Sequence, residues 1–178
     1  MKIYALMENT PYAPQFAAEH GLSLYIETDR HRLLFDAGAT GAFADNAERL
    51  GVDLSRVELA VLSHDHYDHG GGLARFLELN SRAPVYLSEH AFGRRYDAGG
   101  RYIGIDPALR ESGRLQFVGD RLELDDQLTL YACNGEEAVY PLDSAGLTEE
   151  RDGARHPDRF LHEQYLMIRE KGKKVLIS

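Results

Sequence analysis

The chain has one cysteine and no apolar run of about 18 residues, the length that a membrane-spanning helix needs. Cys133 cannot form an internal disulfide, and a thiolate zinc cluster needs more than one cysteine. We interpret Cys133 as a small buried residue of a protein in a reducing compartment. The apolar N-terminus is too short for a signal peptide, so the sequence predicts a cytoplasmic location.

Basic residues are also scarce. Lys and Arg number 20 against 29 Asp and Glu, which gives a formal net charge of -9. Nucleic acids and anionic membranes are bound through clustered Lys and Arg, so we exclude both as main partners. A small-molecule substrate remains open even if it is anionic, because a bound divalent metal reverses the local sign of charge.

Length and composition predict one globular domain over residues 1–178. With 178 residues, of which 43% are hydrophobic and 28% charged, the chain can bury a sizeable core without disordered segments. Apolar periodicity predicts strands at 2–7, 21–28, 31–35, 57–62, 84–87, 115–118, 128–132 and 173–178, and helices at 43–50 and 73–79.

The sequence also predicts how exposed some of these segments are. Alternation predicts a half-buried strand at 21–28, whereas the continuous apolar run at 57–62 predicts a strand buried on both faces. Glycines interrupt residues 90–157, for which we predict a lid-like excursion. Within it, the charged residues 149–155 predict a solvated loop.

The chemistry is concentrated in residues 64–69, His-Asp-His-Tyr-Asp-His, between the apolar run and three glycines. His64 and His66 are two positions apart, so on an extended segment both imidazoles leave the same side and can bind one ion. Asp68 and His69 follow a turn and suit a second ion. Imidazole and carboxylate ligands fit zinc, and also iron or manganese, and paired metals of this kind commonly hydrolyse esters or phosphoesters.

Residues 63–73, SHDHYDHGGGL, resemble the His-x-His-x-Asp-His signature of the metallo-β-lactamase superfamily. Residues 34–38, LFDAG, look like the strand of that superfamily that ends in Asp-x-Gly. Softer matches at 8–10, 19–24 and 160–164 are similar to the branch of dihydropterin ribofuranosyl-aminobenzene phosphate synthase-like proteins.

The resemblance implies an α/β protein with an αββα sandwich and a metal loop at the carboxyl end of a strand. It implies His64 and His66 on one ion, Asp68 and His69 on another, and a cofactor of two zinc ions, with manganese or iron as alternatives. Asp68 is also the candidate catalytic residue, which would steer the nucleophile. Asp36 would orient the histidine loop, and His20 would lie near the pocket as a substrate-binding or orienting group.

One feature of the superfamily is missing from this sequence. Its members have a further metal-binding histidine after the core strand that matches residues 173–178, where this chain ends. The resemblance therefore predicts an incomplete fold and an incomplete set of ligands, with an open sheet edge that favours self-association into a homo-oligomer. Candidates to complete the site are His20, His90, His156 and His162. Arginines at 94, 95, 101 and 110 could line an anion pocket, but we interpret them as solvated.

Two classes of function remain. The first is a metal-dependent hydrolase, in which metal-activated hydroxide attacks an ester or phosphoester-like small molecule, or a variant in which the metals assist condensation on a pterin phosphate. The second is a catalytically incomplete metal-binding domain, acting as a sensor, a partner subunit or a fragment. A second chain could also supply the missing ligands.

Overall fold

The computed structural model describes residues 1–132 and 143–178. The strands in chain order are β1 (Lys2–Met7), β2 (Ser23–Glu27), β3 (Arg32–Phe35), β4 (Leu59–Val61), β5 (Val85–Ser88), β6 (Arg95–Tyr96), β7 (Leu115–Val118), β8 (Arg121–Glu123), β9 (Leu128–Tyr131), β10 (Thr148–Arg151), β11 (Ala154–Pro157), β12 (Tyr165–Glu170) and β13 (Lys173–Ile177). The helices are α1 (Ala42–Arg49), α2 (Tyr67–Gly70) and α3 (Leu73–Leu79), with 3-10 helices at Leu54–Arg56 and Pro107–Ser112.

The sequence predicts a buried Cys133 and lacks a membrane-spanning helix. Cys133 lies outside the described residues, so its burial stays a prediction. In the described ranges, none of the helices has the length and apolar character required to cross a membrane.

A six-stranded sheet forms the middle layer, with the strand order β1-β2-β3-β4-β5-β7. The first three strands are antiparallel, and β3, β4, β5 and β7 run parallel. Parallel strands present their carboxyl ends at one edge of a sheet, which is where open α/β sheets bind ligands. Asp36 directly follows β3 and the histidine cluster follows β4, so the topology brings the two motifs together.

A four-stranded antiparallel sheet, in the order β13-β12-β9-β8, packs on one face of this middle layer. Among the described residues, the buried members of the core between the two sheets lie on strands. These are Ile26, Leu33, Phe35, Leu59, Val61, Val118, Leu128, Leu130, Leu166, Ile168 and Ile177.

Helices α1 and α3 cover the other face of the middle sheet. Phe43 of α1 and Phe76 of α3 are fully buried there, against strand residues such as Leu34 and Val85. The described residues thus form a helix–sheet–sheet sandwich, which confirms the predicted α/β class.

Helix α3 shows how local sequence sets an element. Its apolar residues Leu73 and Phe76 face the core, and the helix covers residues 73–79, as the spacing predicts. Asn80 ends it in an extended conformation. The buried Asn80 side-chain amide donates to the carbonyls of Leu54, at 2.9 Å, and Val57, at 2.8 Å. These bonds tie the helix end to the segment that enters β4.

The exposure predicted for the strand at 21–28 is wrong. Tyr25 packs into the helix-side core and Ile26 packs into the core between the sheets. The alternation of side chains correctly assigns Tyr25 and Ile26 to opposite faces of the sheet. However, β2 lies inside the middle sheet with a layer on each side, so both faces are covered. The run at 57–62 is buried on both faces, as predicted, with Ala60 on the helix side and Val61 between the sheets.

The described part of residues 90–157 does not form one lid-like excursion, and residues 133–142 of this range lie outside the description. Strands β7 and β9 of this range belong to the two stacked sheets, and β10 and β11 form a hairpin that pairs with β6. The loop predicted for residues 149–155 is therefore a hairpin, although residues 152–155 at and after its turn are exposed, as predicted. Its charges are partly internal to the hairpin region, since Glu149 is 7% exposed and contacts Arg151 and Arg159.

The glycines after the histidine cluster run against the backbone of residues 37–40. A Cβ on Gly71 would lie 2.1 Å from the carbonyl oxygen of Ala39, and one on Gly72 would lie 2.1 Å from that of Ala37. Both separations are far shorter than van der Waals contact, so only glycine fits without moving the backbone. The glycines therefore let the chain pass directly against this backbone.

We expect Gly71→Ala to lower the free energy of unfolding by at least about 1–3 kcal/mol, because the added methyl group meets backbone that cannot rotate away. Chemical denaturation of the two proteins measures the difference. Gly99→Ala is the matched control, since a Cβ there meets only the Asp97 carboxylate, at 3.3 Å. Equal losses in both variants would contradict the role assigned to the close passage.

Candidate metal centre

Asp36 is buried at the carboxyl end of β3 and joins three parts of the site. Its Oδ1 accepts a hydrogen bond from the Ser63 amide, at 2.7 Å, and its Oδ2 accepts one from the Ser63 hydroxyl, at 2.7 Å. The same Oδ2 lies 2.7 Å from His69 Nδ1. Asp36 has a positive φ of 59°, which Asp tolerates better than most residues. It occupies the place where the sequence predicts an orienting group.

The structure brings the three predicted histidines of the loop together. The ring centroid of His64 lies 4.7 Å from that of His66 and 4.1 Å from that of His69. His64 and His66 precede α2, whereas His69 lies on its helical turn and is directed back by Asp36. Since the His64 ring is a neighbour of both other rings, ring distances do not divide the three between two ions, and the pairing of ligands with ions stays a prediction.

Asp68 and His20 face each other beside these rings. Asp68 Oδ2 lies 3.4 Å from His20 Nε2 and 3.8 Å from His69 Nε2. Together with Glu8 and Asn9 they line a cavity of about 270 Å³. His20 is thus at the rim of a pocket next to the histidine loop, where the sequence places it, and 72% of its side chain is exposed.

Of the other candidate histidines, His162 approaches the loop. Its ring centroid lies 5.0 Å from that of His66 and 5.8 Å from that of His64. His90 has a half-exposed side chain beside Glu89, and His156 lies on β11 in the outer hairpin.

Buried charged residues that the sequence interpretation missed surround His162. Asp65 is fully buried, and both of its carboxylate oxygens accept bonds from Arg95 Nη1, at 2.9 and 2.8 Å. Asp158 is 3% exposed, and its Oδ2 lies 3.4 Å from Arg95 Nε. The solvated interpretation is therefore wrong for Arg95, although it holds for Arg94, whose side chain is 70% exposed.

Some of this was accessible from the sequence. Asp65 stands between two candidate ligands, and Asp158 stands two positions before the segment 160–164, which is similar to the synthase-like branch. Arg95 gave no such signal, because it lies in a stretch that glycines interrupt and that has no apolar periodicity. Its burial depends on ion pairs with the distant residues Asp65 and Asp158.

The family follows from a comparison of sequences. Residues 18–166 match the metallo-beta-lactamase superfamily. The chain belongs to this superfamily. An uncharacterized protein of Methanocaldococcus jannaschii is 31% identical over 183 residues, covering 99% of this chain and 68% of the relative. A 7,8-dihydropterin-6-methyl-4-(beta-D-ribofuranosyl)-aminobenzene-5'-phosphate synthase of the same organism is 33% identical over 102 residues, covering 52% of this chain and 34% of the synthase.

Solved structures of the superfamily agree with the fold. A metal-dependent hydrolase of the beta-lactamase superfamily is 30% identical with a TM-score of 0.76, covering 98% of this chain and 63% of that one. A quorum-quenching N-acyl homoserine lactone lactonase is 17% identical with a TM-score of 0.55, covering 87% and 58%, and shows the fold alone. These findings confirm the resemblance to the superfamily and to its synthase-like branch. The chain spans about a third of the synthase and under two thirds of the solved hydrolase.

The site of this metallo-beta-lactamase superfamily member has the electrostatics of a metal-binding group. Burial, aided by the neighbouring imidazoles, lowers the pKa of His64 well below its usual value. Burial and the adjacent His162 lower the pKa of His66 to about 4. Both imidazoles are therefore neutral at pH 7, as metal ligands must be. The nitrogen and oxygen donors present fit zinc, iron or manganese.

The pKa of His69 is shifted in the opposite direction, through its contact with Asp36. Burial disfavours a charged His69, yet the Asp36 carboxylate outweighs it and raises the pKa of that imidazole. With the proton of Nδ1 directed at Asp36, Nε2 is left to face Asp68. A carboxylate that holds the far nitrogen of an imidazole in this way commonly fixes the tautomer of a metal ligand.

We expect Asp36→Asn to weaken divalent-metal affinity by about 10–100-fold, because an amide cannot hold the His69 proton as a carboxylate does. Competition with a chromophoric chelator measures the affinity. Asp126→Asn is the control, since Asp126 is 83% exposed and pairs with the surface residue Arg30. Unchanged affinity in Asp36→Asn would refute the orienting role.

The lowered pKa of His66 predicts a pH dependence in the metal-free protein. Between its ordinary pKa of 6.5 and its folded value of about 4, the unfolded chain binds the proton and the folded chain does not. The free energy of unfolding therefore falls as pH falls through this window, with a contribution of up to about 1.4 kcal/mol per pH unit. Urea unfolding at several pH values should show a shallower slope for His66→Gln than for the parent, and identical slopes would contradict the assignment.

Proposed function

We propose that this chain forms the metal-binding part of a metal-dependent hydrolase that cleaves an ester or phosphoester of a small molecule. The observation that supports this most strongly is the pair of neutral imidazoles of His64, partly buried, and His66, buried, beside His69 at the carboxyl edge of the middle sheet. A structural relative at 30% identity is named a metal-dependent hydrolase. Membership of the superfamily is consistent with this chemistry.

Two zinc ions are the proposed cofactor, with manganese or iron as alternatives. His64 and His66 would hold one ion, and Asp68 and His69 the other. When bound, such ions act as Lewis acids and lower the pKa of water into the neutral range. The protein contributes fixed ligands, because Asp36 and Ser63 hold the loop from below through three contacts of 2.7 Å.

Asp68 is the proposed catalytic residue. Its Oδ2 has an imidazole nitrogen on either side, His20 Nε2 at 3.4 Å and His69 Nε2 at 3.8 Å. Its side chain is 15% exposed, so it borders the pocket rather than the core. A carboxylate in this place can orient a nucleophile and accept its proton.

The cavities beside the site support a small molecule as substrate. The 270 Å³ cavity next to Asp68 shares Glu8 with a larger one of about 500 Å³ along β1. The larger cavity is lined by aromatic rings, including those of Tyr4 and Phe16. Pockets of several hundred cubic ångströms with a few polar groups are typical of small-molecule sites.

A second candidate is condensation on a pterin phosphate. It is favoured by the 33% identity, over 102 residues, to the dihydropterin ribofuranosyl-aminobenzene phosphate synthase. The same metal loop would serve both reactions, so the loop does not discriminate between them. A third candidate, a metal-binding domain without activity, differs from both because it predicts bound metal and no turnover.

We expect the metal-loaded chain to hydrolyse activated aryl esters or aryl phosphodiesters, and Asp68→Asn to lower kcat/KM by roughly 100-fold or more. Release of the coloured aryl alcohol follows the reaction. Asp45→Asn, in the first turn of α1 and away from the loop, is the control that should keep parental activity.

The possible outcomes separate the candidates. Activity that survives both chelation and Asp68→Asn would contradict a metal-dependent hydrolase. Stoichiometric metal without hydrolysis of any ester would also contradict it, and the synthase candidate would then be tested with a pterin substrate and an aryl acceptor.

A further inference from the structure

Three buried ligand atoms converge beside the histidine loop, and two of them belong to residues outside the signature. His66 Nε2, Asp158 Oδ2 and His162 Nε2 all lie within 4.8 Å of one another. Asp158 Oδ2 is 4.0 Å from His66 Nε2 and 3.6 Å from His162 Nε2. Among the described residues, none of the three atoms has a hydrogen-bond partner, although each is shielded from solvent. Buried polar atoms are rarely left unpaired, so the group has the character of a site for a missing ligand.

His162 is held in the same way as His69. Its Nδ1 lies 2.6 Å from Asp65 Oδ1, just as His69 Nδ1 lies 2.7 Å from Asp36 Oδ2. The Asp65 amide is directed at the same nitrogen, at 3.3 Å, but the shorter contact with the carboxylate favours a proton on Nδ1. In both pairs Nε2 is then the free nitrogen. This carboxylate–imidazole arrangement is the common support of a metal-binding histidine.

The charges around His162 leave room for a cation. Asp65 is fully engaged, because Arg95 Nη1 contacts both of its oxygens and the Phe92 amide donates to Oδ2. Asp158 shares the same guanidinium only through a 3.4 Å approach to Arg95 Nε, which itself lacks a hydrogen bond. Two carboxylates against one guanidinium leave one negative charge in excess. A divalent cation or a proton on His162 can neutralise it.

We infer that His66, Asp158 and His162 bind a divalent cation through Nε2, Oδ2 and Nε2, so that Asp158 and His162 add to the ligands supplied by the histidine loop. Two imidazoles and one carboxylate with open positions are an established zinc ligand set. The inference rests on the metal binding proposed above, but its new ligands come from the segment between β11 and β12. Metal binding would then tie this segment to the loop.

The test follows the imidazole nitrogens directly. Metal-free, isotope-labelled chain is titrated with zinc, and long-range proton–nitrogen NMR spectra record each histidine ring. We expect the Nε2 resonances of His66 and His162 to shift together with the same zinc equivalent, and the exposed His90 to stay unchanged. Asp158→Asn and His162→Gln should each lower the affinity for that zinc equivalent by about tenfold or more, measured by competition with a chelator. His156→Gln and Asp152→Asn, on the outer hairpin, should bind like the parent.

Each other result overturns the inference in a distinguishable way. If the His64 and His69 resonances respond to zinc while His162 does not, the buried group holds a proton, and only this inference fails. If no histidine responds although the chain is folded, the proposed metal-dependent function fails with it. Should the variants unfold, the parental spectra decide, since they need no substitution.

Discussion

The Asp36 carboxylate is the contact on which the site depends. It accepts two hydrogen bonds from Ser63 and lies 2.7 Å from His69 Nδ1, so one buried group connects the end of β3, the end of β4 and the histidine loop. The backbone repeats the connection, because the Asp36 amide donates to Val61 and the Ala37 amide donates to His69. The Asp36 side chain thus orients the His69 imidazole, while the backbone bonds hold the course of the loop.

The fold supplies the setting for that contact. A parallel register of β3 and β4 places Phe35 opposite Val61, so that the residues following both strands emerge side by side. Glycines 71 and 72 then let the chain pass against residues 37–40, where a Cβ would meet carbonyl oxygens at 2.1 Å. The second sheet adds a further layer below the loop. The side-chain Nε2 of Gln164, just before β12, donates to the Leu62 carbonyl, at 2.7 Å. The backbone amide of Gln164 donates to the Ser63 carbonyl.

The sequence predicted what depends on local pattern and missed what depends on distant partners. Helix α3, the buried strand β4 and the cluster of His64, His66 and His69 follow from periodicity and spacing over a few residues. Arg95 looked solvated, because its sequence neighbours are polar and no local feature reveals the buried carboxylates of Asp65 and Asp158. The prediction of a lid-like excursion was wrong for the described part of residues 90–157 for the same reason. Its short strands acquire their identity from pairing with strands far away in the chain.

The central claim is that these side chains converge to hold metal. Native mass spectrometry of protein purified without chelator, read beside elemental analysis, counts the ions per folded chain. The account predicts close to two divalent ions that are lost on dialysis against a chelator. A folded chain that carries no ion, and takes none up from a solution containing zinc, manganese or iron, would contradict it.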